Sequence, residues 1–283
     1  MAEGIDSIRL AIFGESNVGK THYGGQLLSR IETEKCELKM RTVPTDLSPF
    51  EEVRTKLNGG LPASHTPSAV YRESVWPVIS GEGQEFDLTW PDYGGEQVRQ
   101  LIDTRRIGQE WLDRVQFAHG WILMVRPKLA KQDDDIFSKP LGDVRRPNVD
   151  SDIKPHRSIQ ARLVELLQML LHARSLQQPR QLPALLVLLS CWDELGEAEG
   201  TKPDDELEAR LPLLSSFISS RWGSSTSAVF GLSALETALS TEEANEQFIN
   251  RGPENFGYVI DPDGRRTGDL TLPIVRVAEM ARD

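Results

Sequence analysis

The sequence contains little of what disulfide-linked, metal-binding or membrane-spanning proteins require. It has two cysteines in 283 residues, Cys36 and Cys191, whose separation fits neither a metal-binding pair nor a disulfide framework. The longest apolar run, Ala184 to Leu189, is far shorter than the roughly 18 residues that cross a bilayer. The first residues lack the basic and apolar segments of a secretory signal. We therefore expect a cytoplasmic protein with reduced thiols and no integral membrane segment.

Basic charge is also scarce, with 32 Lys and Arg against 43 Asp and Glu and a net charge of −11. Such a chain lacks the broad basic face that follows a nucleic-acid backbone, so nucleic acid is not expected as a partner. The five histidines form no His-Glu-x-x-His pattern, and no Gly-x-Ser-x-Gly elbow is present. Zinc peptidase and α/β serine hydrolase functions therefore have no support in the sequence.

Apolar runs and amphipathic segments alternate along the chain. The strand candidates are Ser7–Phe13, Gly120–Val125, Ala184–Leu189 and Ala228–Leu232, and helix spacing of apolar residues follows Gly19 and recurs over Ile159–Leu171 and Leu207–Ile218. Buried strands that alternate with helices are typical of a parallel sheet covered on both faces. We predict an α/β fold with a doubly wound, mostly parallel sheet of about six strands and helices on both faces. One domain is expected over residues 1–283.

Two stretches interrupt this alternation. Residues 41–87 contain a helix candidate at Ser48–Leu57 and extended candidates at Val75–Ser80 and Phe86–Trp90, which could form an antiparallel edge. Residues 127–155 are polar and interrupted by prolines, which indicates a long exposed loop. We interpret the first stretch as an enlarged switch-I region and the second as an insertion.

The turn after the first strand matches the pattern Gly-x-x-x-x-Gly-Lys-[Ser/Thr] between a strand and a helix. Its glycines allow backbone N–H groups to face phosphate oxygens, and the helix that follows adds the positive end of its dipole. Lys20 is expected to reach the β- and γ-phosphates, and the Thr21 hydroxyl is expected to bind Mg²⁺. The candidate nucleotide-binding residues are Gly14, Glu15, Ser16, Asn17, Val18, Gly19, Lys20 and Thr21.

A second element follows the extended run Phe86–Trp90. Asp92 and Gly95 form an Asp-x-x-Gly pattern, in which the carboxylate lies near the magnesium ion and the glycine N–H contacts the γ-phosphate. That contact exists only before hydrolysis, so the segment would sense the nucleotide state. A plain β-turn is the alternative, and the position between a strand and a helix favours the switch.

Two later strand ends carry candidates for base recognition. Asp193 follows the strand Ala184–Leu189 and could accept from N1–H and the 2-amino group of guanine, which adenine does not match. Capping of the next helix is the alternative role for this aspartate. Ser233, Ala234 and Leu235 follow the next apolar run and could present a backbone N–H to the guanine carbonyl.

In order, the segments GESNVGKT, DYGG, SCWD and SAL resemble the motifs of the Ras-like P-loop GTPases of the TRAFAC class, over about residues 7–237. The SCWDEL string and Asn255–Pro273 are similar to the bacterial double-GTPase type associated with conflict or secretion-linked gene clusters. The resemblance implies GTP and GDP as ligands, Mg²⁺ as a cofactor and a conformational switch. It also implies a protein effector or activator, for which a second GTPase subunit is one candidate.

The chain departs from the usual motifs of that class. Ser190 and Cys191 replace the first two residues of Asn/Thr-Lys-x-Asp, so no lysine stem covers the purine there. Trp192 is the candidate to pack against the base or ribose instead. Glu96 occupies the place of the water-positioning glutamine and Gln97 follows it, which predicts slow turnover by the chain alone. Either a one-residue shift lets Gln97 act, or a partner supplies the missing group.

Spacing does not identify the switch-I threonine that binds Mg²⁺. We prefer Thr66, because it lies in a turn-rich stretch shortly before the extended region. Thr42 and Thr45 are its rivals.

The sequence thus predicts a GTPase that hydrolyses GTP to GDP and phosphate with Mg²⁺, slowly on its own, with catalytic candidates Lys20, Glu96 and Gln97. Two alternatives stay open. One is an interaction module of the same fold that responds to guanine nucleotides without hydrolysing them. The other is a P-loop ATPase or kinase in which Asp193 merely caps a helix.

Overall fold

The computed structural model describes residues 8–44, 46–63, 71–93, 95–130, 157–178, 181–196 and 199–282. The strands are β1 Ile8–Phe13, β2 Lys39–Met40, β3 Tyr71–Ile79, β4 Glu85–Tyr93, β5 Gly120–Val125, β6 Ala184–Ser190, β7 Ser227–Ser233, β8 Tyr258–Ile260 and β9 Arg266–Thr267. The helices are α1 Lys20–Glu32, α2 Ser48–Asn58, α3 Gly95–Thr104, α4 Gln109–Phe117, α5 Ile159–Ser175, α6 Pro203–Arg210, α7 Pro212–Arg221, α8 Glu246–Arg251 and α9 Leu272–Met280.

The described strands form one sheet in the order β2-β3-β4-β1-β5-β6-β7-β8-β9. The five strands from β4 to β7 in this order are mutually parallel, and the outer strands on both sides are antiparallel. This confirms the predicted α/β fold with a mostly parallel sheet. The described sheet has nine strands and not the expected six or so, because four antiparallel strands, β2, β3, β8 and β9, extend the five parallel ones.

Successive residues of the central strands contribute to two separate cores. In β5, Ile122 and Met124 pack in the core that contains α1 and α9. Trp121, Leu123 and Val125 face the opposite core, which contains α3, α4, α5, α6 and α7. Because both faces are covered by helices, β5 and β6 are buried at every position, as the continuous apolar runs in the sequence indicate.

Helix α5 shows how the local sequence sets the boundaries of an element. The Ser158 side chain accepts from the Ala161 N–H at 3.1 Å and caps the first turn. Leucines at helix spacing then cover the sheet, and these are Leu163, Leu166, Leu167 and Leu170. The helical pattern expected over Leu207–Ile218 is instead divided into α6 and α7 at Pro212, which has no N–H to continue a helix.

Residues 41–87 contain more regular structure than an enlarged switch. They include helix α2, and β3 pairs antiparallel with β4 from Tyr71↔Tyr93 to Ile79↔Glu85. The antiparallel edge expected from the sequence is therefore confirmed. In the second stretch, Pro127–Leu129 form a single 3-10 turn, and residues 131–156 lie outside the described residues.

None of the helices in the described ranges is long and apolar enough to cross a membrane.

Helix α1 approaches its neighbours closely at Gly24, which gives a test of this packing. A Cβ at Gly24 would lie 2.6 Å from Cε1 of Phe50 and 2.8 Å from Cε2 of Trp90, and both rings are buried. We expect Gly24→Ala to lower the free energy of unfolding by about 1–2 kcal/mol, because overpacking outweighs the gain in helix propensity.

Urea unfolding measures this change. Gly268→Ala is the matched control, since a Cβ there meets nothing within 4 Å, and its effect should stay within about 0.5 kcal/mol. Equal stability of the two variants would contradict the packing described for α1.

Candidate functional site

The loops that follow the five parallel strands line one cleft. Parallel strands place their carboxyl ends at a common edge of the sheet, where ligands of open α/β sheets bind. The cleft has a volume of about 290 Å³ and is lined by Ser16–His22, Pro62–Ala63, Gly95–Glu96, Arg126, Ser190–Cys191, Asp193–Glu194 and part of Leu232–Leu239. All four sequence motifs contribute lining residues. The fourth motif, Ser233–Leu235, contributes Ala234 and Leu235.

The loop after β1 has the conformation of an anion-binding turn. Asn17 and Gly19 adopt left-handed φ angles of 63° and 84°, and helix α1 begins directly afterwards at Lys20. The N-cap residue of α1 is Gly19, which forms no side-chain cap hydrogen bond. The first turn of the helix lines the cleft, and a helix N-terminus favours negative charge.

Lys20 is held against the loop from which it projects. Its Nζ donates to the carbonyl oxygens of Gly14 and Glu15, both at 2.8 Å. The side chain is buried and also lines the cleft. Gly14 and Glu15 thus contribute to the site through their carbonyl groups, and neither residue lines the cleft itself.

The Glu15 side chain pairs with Arg162 of α5. Arg162 donates from Nε to Oε1 at 2.8 Å and from a terminal nitrogen to Oε2 at 2.9 Å. Both side chains are largely buried, with exposed fractions of 13% for Arg162 and 11% for Glu15. This fork neutralises a carboxylate that would otherwise lie beside a candidate phosphate site. Sequence analysis missed Arg162, because 147 residues separate the two partners.

Gly95 begins α3 in direct contact with the phosphate-loop candidate. A Cβ at this position would lie 2.0 Å from the Ser16 nitrogen and 2.4 Å from the Glu15 carbonyl carbon. Only glycine permits this approach. Glu96 lines the cleft, whereas Gln97 is not among its lining residues.

Asp92 belongs to the end of β4, and its side chain lies outside the described residues. The pairing Ala11↔Thr89 between β1 and β4 nevertheless brings the backbone of Asp92 beside the start of the loop that follows β1. Thr66 also lies outside the described residues. The segment that precedes Thr66 reaches the cleft, where the Ala63 N–H donates to Nε2 of His22 at 2.9 Å.

Asp193 is anchored by the strand next to its own. The Ser233 hydroxyl donates to Oδ1 of Asp193 at 2.5 Å and accepts from the Glu236 N–H at 3.0 Å. Ser233 is fully buried, so its side chain supports the aspartate. Cys191 lines the cleft, and burial raises the pKa of its thiol to about 11.

Trp192 does not occupy the place expected for it. Its side chain is buried in the core that contains α5 and α7, and its ring covers Gly231, where a Cβ would lie 2.5 Å from the indole. It is not among the residues that line the cleft. An apolar indole gains more from burial under the sheet edge than from exposure in an open cleft.

Arg126 is a cleft residue that sequence analysis missed. It follows the last residue of β5 and donates to Glu194 through Nε at 2.9 Å and a terminal nitrogen at 2.5 Å. Its other terminal nitrogen donates to the Asn17 carbonyl at 3.1 Å. The hydrogen bonds that Arg126 donates to Glu194 are the main cause of a raised pKa for Arg126. Its position directly after the run Gly120–Val125 was the available signal.

The family model described as Double-GTPase 1 matches residues 11–277. The chain belongs to the Double-GTPase 1 family. It is therefore a P-loop GTPase of the double-GTPase type, as its motif order predicts. The match includes every segment that lines the cleft.

Comparison with curated proteins finds no match. Solved structures that resemble the chain include the small GTPase Arl6 (BBS3) from Trypanosoma brucei with a bound nucleotide analogue, at 14% identity and a TM-score of 0.37 over 87% of this chain and 96% of that one. The Ski7 GTPase-like domain of S. cerevisiae, bound to GTP, has 14% identity and a TM-score of 0.40 over 81% and 43%. Elongation factor SelB from Methanococcus maripaludis has 13% identity and a TM-score of 0.38 over 81% of this chain and only 30% of its own.

The pair formed by Glu15 and Arg162 can be tested by removing its cation. We expect Arg162→Ala to lower the free energy of unfolding by about 3 kcal/mol, because a buried carboxylate loses its partner. Glu15→Gln added to Arg162→Ala should recover part of this loss. Denaturant unfolding of the three proteins measures both effects.

Arg105→Ala is the control, because it also removes an arginine that pairs with a glutamate. Arg105 pairs with Glu165 but is 72% exposed, so its loss should cost less than about 1 kcal/mol. If Arg162→Ala were as mild as Arg105→Ala, the pairing with Glu15 would not be a stabilising element of the site.

Proposed function

We propose that this chain binds GTP with Mg²⁺ in the cleft, hydrolyses it to GDP and phosphate, and acts as a nucleotide-dependent switch. The observation that carries the proposal is that a candidate phosphate-binding group and a candidate base-binding group line the same cleft at one edge of the sheet. The start of helix α1 with Lys20 lines the cleft, and the anchored carboxylate of Asp193 lines it as well. Membership of a GTPase family supports the same function.

Guanine selection is assigned to Asp193. An ionised carboxylate only accepts hydrogen bonds, and guanine presents N1–H and an amino group together while adenine does not. The hydrogen bond from Ser233 holds Oδ1 in place. Ala234 and Leu235 line the same cleft and supply the backbone N–H groups proposed to contact the base carbonyl.

Mg²⁺ is assigned to Thr21, with Asp92 and Thr66 as further candidates. The described residues contain no cluster of three or more histidine, cysteine or acidic side chains for a metal. Mg²⁺ does not need one, because it keeps several waters and binds through few protein oxygens together with substrate phosphates. Thr21 lines the cleft one residue after Lys20 and fits this chemistry. Bound Mg²⁺ would neutralise charge that develops on the phosphates.

Hydrolysis requires a group that orients water toward the γ-phosphate. Glu96 lines the cleft and is the better placed of the two candidates, because Gln97 is not among the lining residues. A carboxylate next to a phosphate is a poor substitute for an amide, since the like charges repel. We therefore propose slow hydrolysis by the chain alone. A protein partner, for which a second GTPase subunit is a candidate, would supply a stabilising cation worth about 10³ to 10⁵ in rate.

The carboxylate of Glu96 also supports a second candidate function. A chain in which this residue cannot orient water would bind GTP and GDP and report which is bound without turnover. The two candidates differ only in phosphate release.

Phosphate release distinguishes the two candidates. We expect Mg²⁺-dependent release of phosphate from GTP by the purified chain, and loss of at least about 10-fold in Lys20→Ala, because the side chain that faces the phosphates is removed. Lys39→Ala is the control, since Lys39 is exposed on the edge strand β2. Nucleotide binding without release in either protein would favour the non-hydrolysing module.

Base preference tests the role of Asp193. Displacement of a fluorescent guanine nucleotide by GTP and by ATP should show a preference for GTP that falls by about 10-fold or more in Asp193→Ala, because the donors on guanine lose their acceptor. Asp263→Ala, at an exposed turn, should leave the preference unchanged. Equal displacement by ATP and GTP in the unaltered chain would indicate a P-loop ATPase or kinase.

A further inference from the structure

The proposed base pocket lacks a residue to cover the face of the purine ring. The usual motif places a lysine stem there, and this chain has Cys191 at that position. The thiol is too short to extend across a purine. Trp192, the next residue, is buried beneath the sheet edge. Within residues 190–194, no side chain is therefore suited to this role.

Arg126 reaches the same part of the cleft from a different strand. Strand β5 lies between β1, which leads to the phosphate-loop candidate, and β6, which leads to Asp193. Arg126 directly follows β5 and lines the cleft together with Asn17, Cys191 and Asp193. A side chain at this strand end lies between the two halves of the proposed nucleotide site.

Three hydrogen bonds hold the guanidinium group in a defined orientation. Two parallel bonds to Glu194, at 2.9 and 2.5 Å, form a fork that fixes the plane of the group. The third bond, to the Asn17 carbonyl at 3.1 Å, ties it to the loop after β1. The Arg126 and Glu194 side chains are 26% and 17% exposed, so most of the pair is buried and part of it stays accessible from the cleft.

A planar guanidinium group stacks on aromatic rings and is more weakly hydrated than an ammonium group. Three of its five N–H donors are directed in its own plane, toward Glu194 and Asn17. The faces of the plane carry no donors and are suited to contact a flat ring. A purine base would use such a face, whereas a phosphate would use the two remaining in-plane N–H groups, and the test below separates these two roles.

We propose that Arg126 is the base-binding residue that packs against the purine ring, in place of the missing lysine, with Glu194 as its positioning residue. The inference rests on the proposed function of the cleft. It assigns two separate tasks to neighbouring groups. Arg126 binds any purine through its face, and Asp193 selects guanine through its edge.

Calorimetry with GDP, ADP and inorganic tripolyphosphate separates these tasks. We expect Arg126→Ala to lower the affinity for GDP and for ADP by about 10-fold each, because the stacking surface is lost for either base. The affinity for tripolyphosphate, which has no base, should stay unchanged. Asp193→Ala is the matched variant, and it should lower the affinity for GDP far more than the affinity for ADP.

Two further variants keep the test decisive if Arg126→Ala folds poorly. Glu194→Ala keeps the arginine but removes its fork, and a loss of a few fold for GDP without any for tripolyphosphate is expected. Cys191→Lys added to Arg126→Ala supplies the lysine of the usual motif and should recover most of the affinity for GDP. Thermal unfolding of each variant identifies changes that come from the fold alone.

Two outcomes would overturn the inference while the proposed function stands. One is an Arg126→Ala variant that binds GDP as tightly as the unaltered chain. The other is an equal loss of affinity for GDP and tripolyphosphate, which would make Arg126 a phosphate contact or a support of the loop. Failure of the unaltered chain to bind GDP at all would instead contradict the proposed function.

Discussion

Parallel pairing of five strands is the constraint on which the cleft depends. Because β4, β1, β5, β6 and β7 run in one direction, the residues that follow them meet at one edge although they are far apart in sequence. Lys20 and Asp193 come within one cleft for this reason alone. The antiparallel strands beyond β4 and β7 extend the sheet without adding a further loop of this kind at its centre. The hydrophobic cores on both faces keep this order fixed.

A chain with a net charge of −11 can still present a site for anions, because charge around the cleft is arranged locally. Arg162 neutralises Glu15, and Arg126 neutralises Glu194. The start of α1 then contributes positive potential that these carboxylates would otherwise cancel. Forked, largely buried arginine–carboxylate pairs retain their strength better than exposed ones, since water screens them less.

Much of this arrangement could be predicted from the sequence, for reasons that are local. The loop around Lys20 and the turn at Gly95 need particular residue types at fixed spacing, so their patterns are visible in a single chain. The apolar runs of β5 and β6 likewise indicate buried parallel strands. Arg126 was missed although it directly follows an apolar run, and Arg162 carries no local signal. The partners of both arginines are set by strand order and helix packing. The position of Trp192 in the core could not be predicted, because it depends on contact with Gly231 of a different strand.

The contact between Gly95 and the backbone of Ser16 has a mechanical consequence. With room for a hydrogen atom but not for a methyl group, the two segments already touch, so the start of α3 has no inward travel. Any atom inserted between them must displace the helix away from the sheet edge. The opposite end of α3 is followed by Arg105, which is joined to α5 through Glu165. A displacement of the Ser16 backbone toward α3 would therefore push on the helix that Arg105 and Glu165 connect to α5.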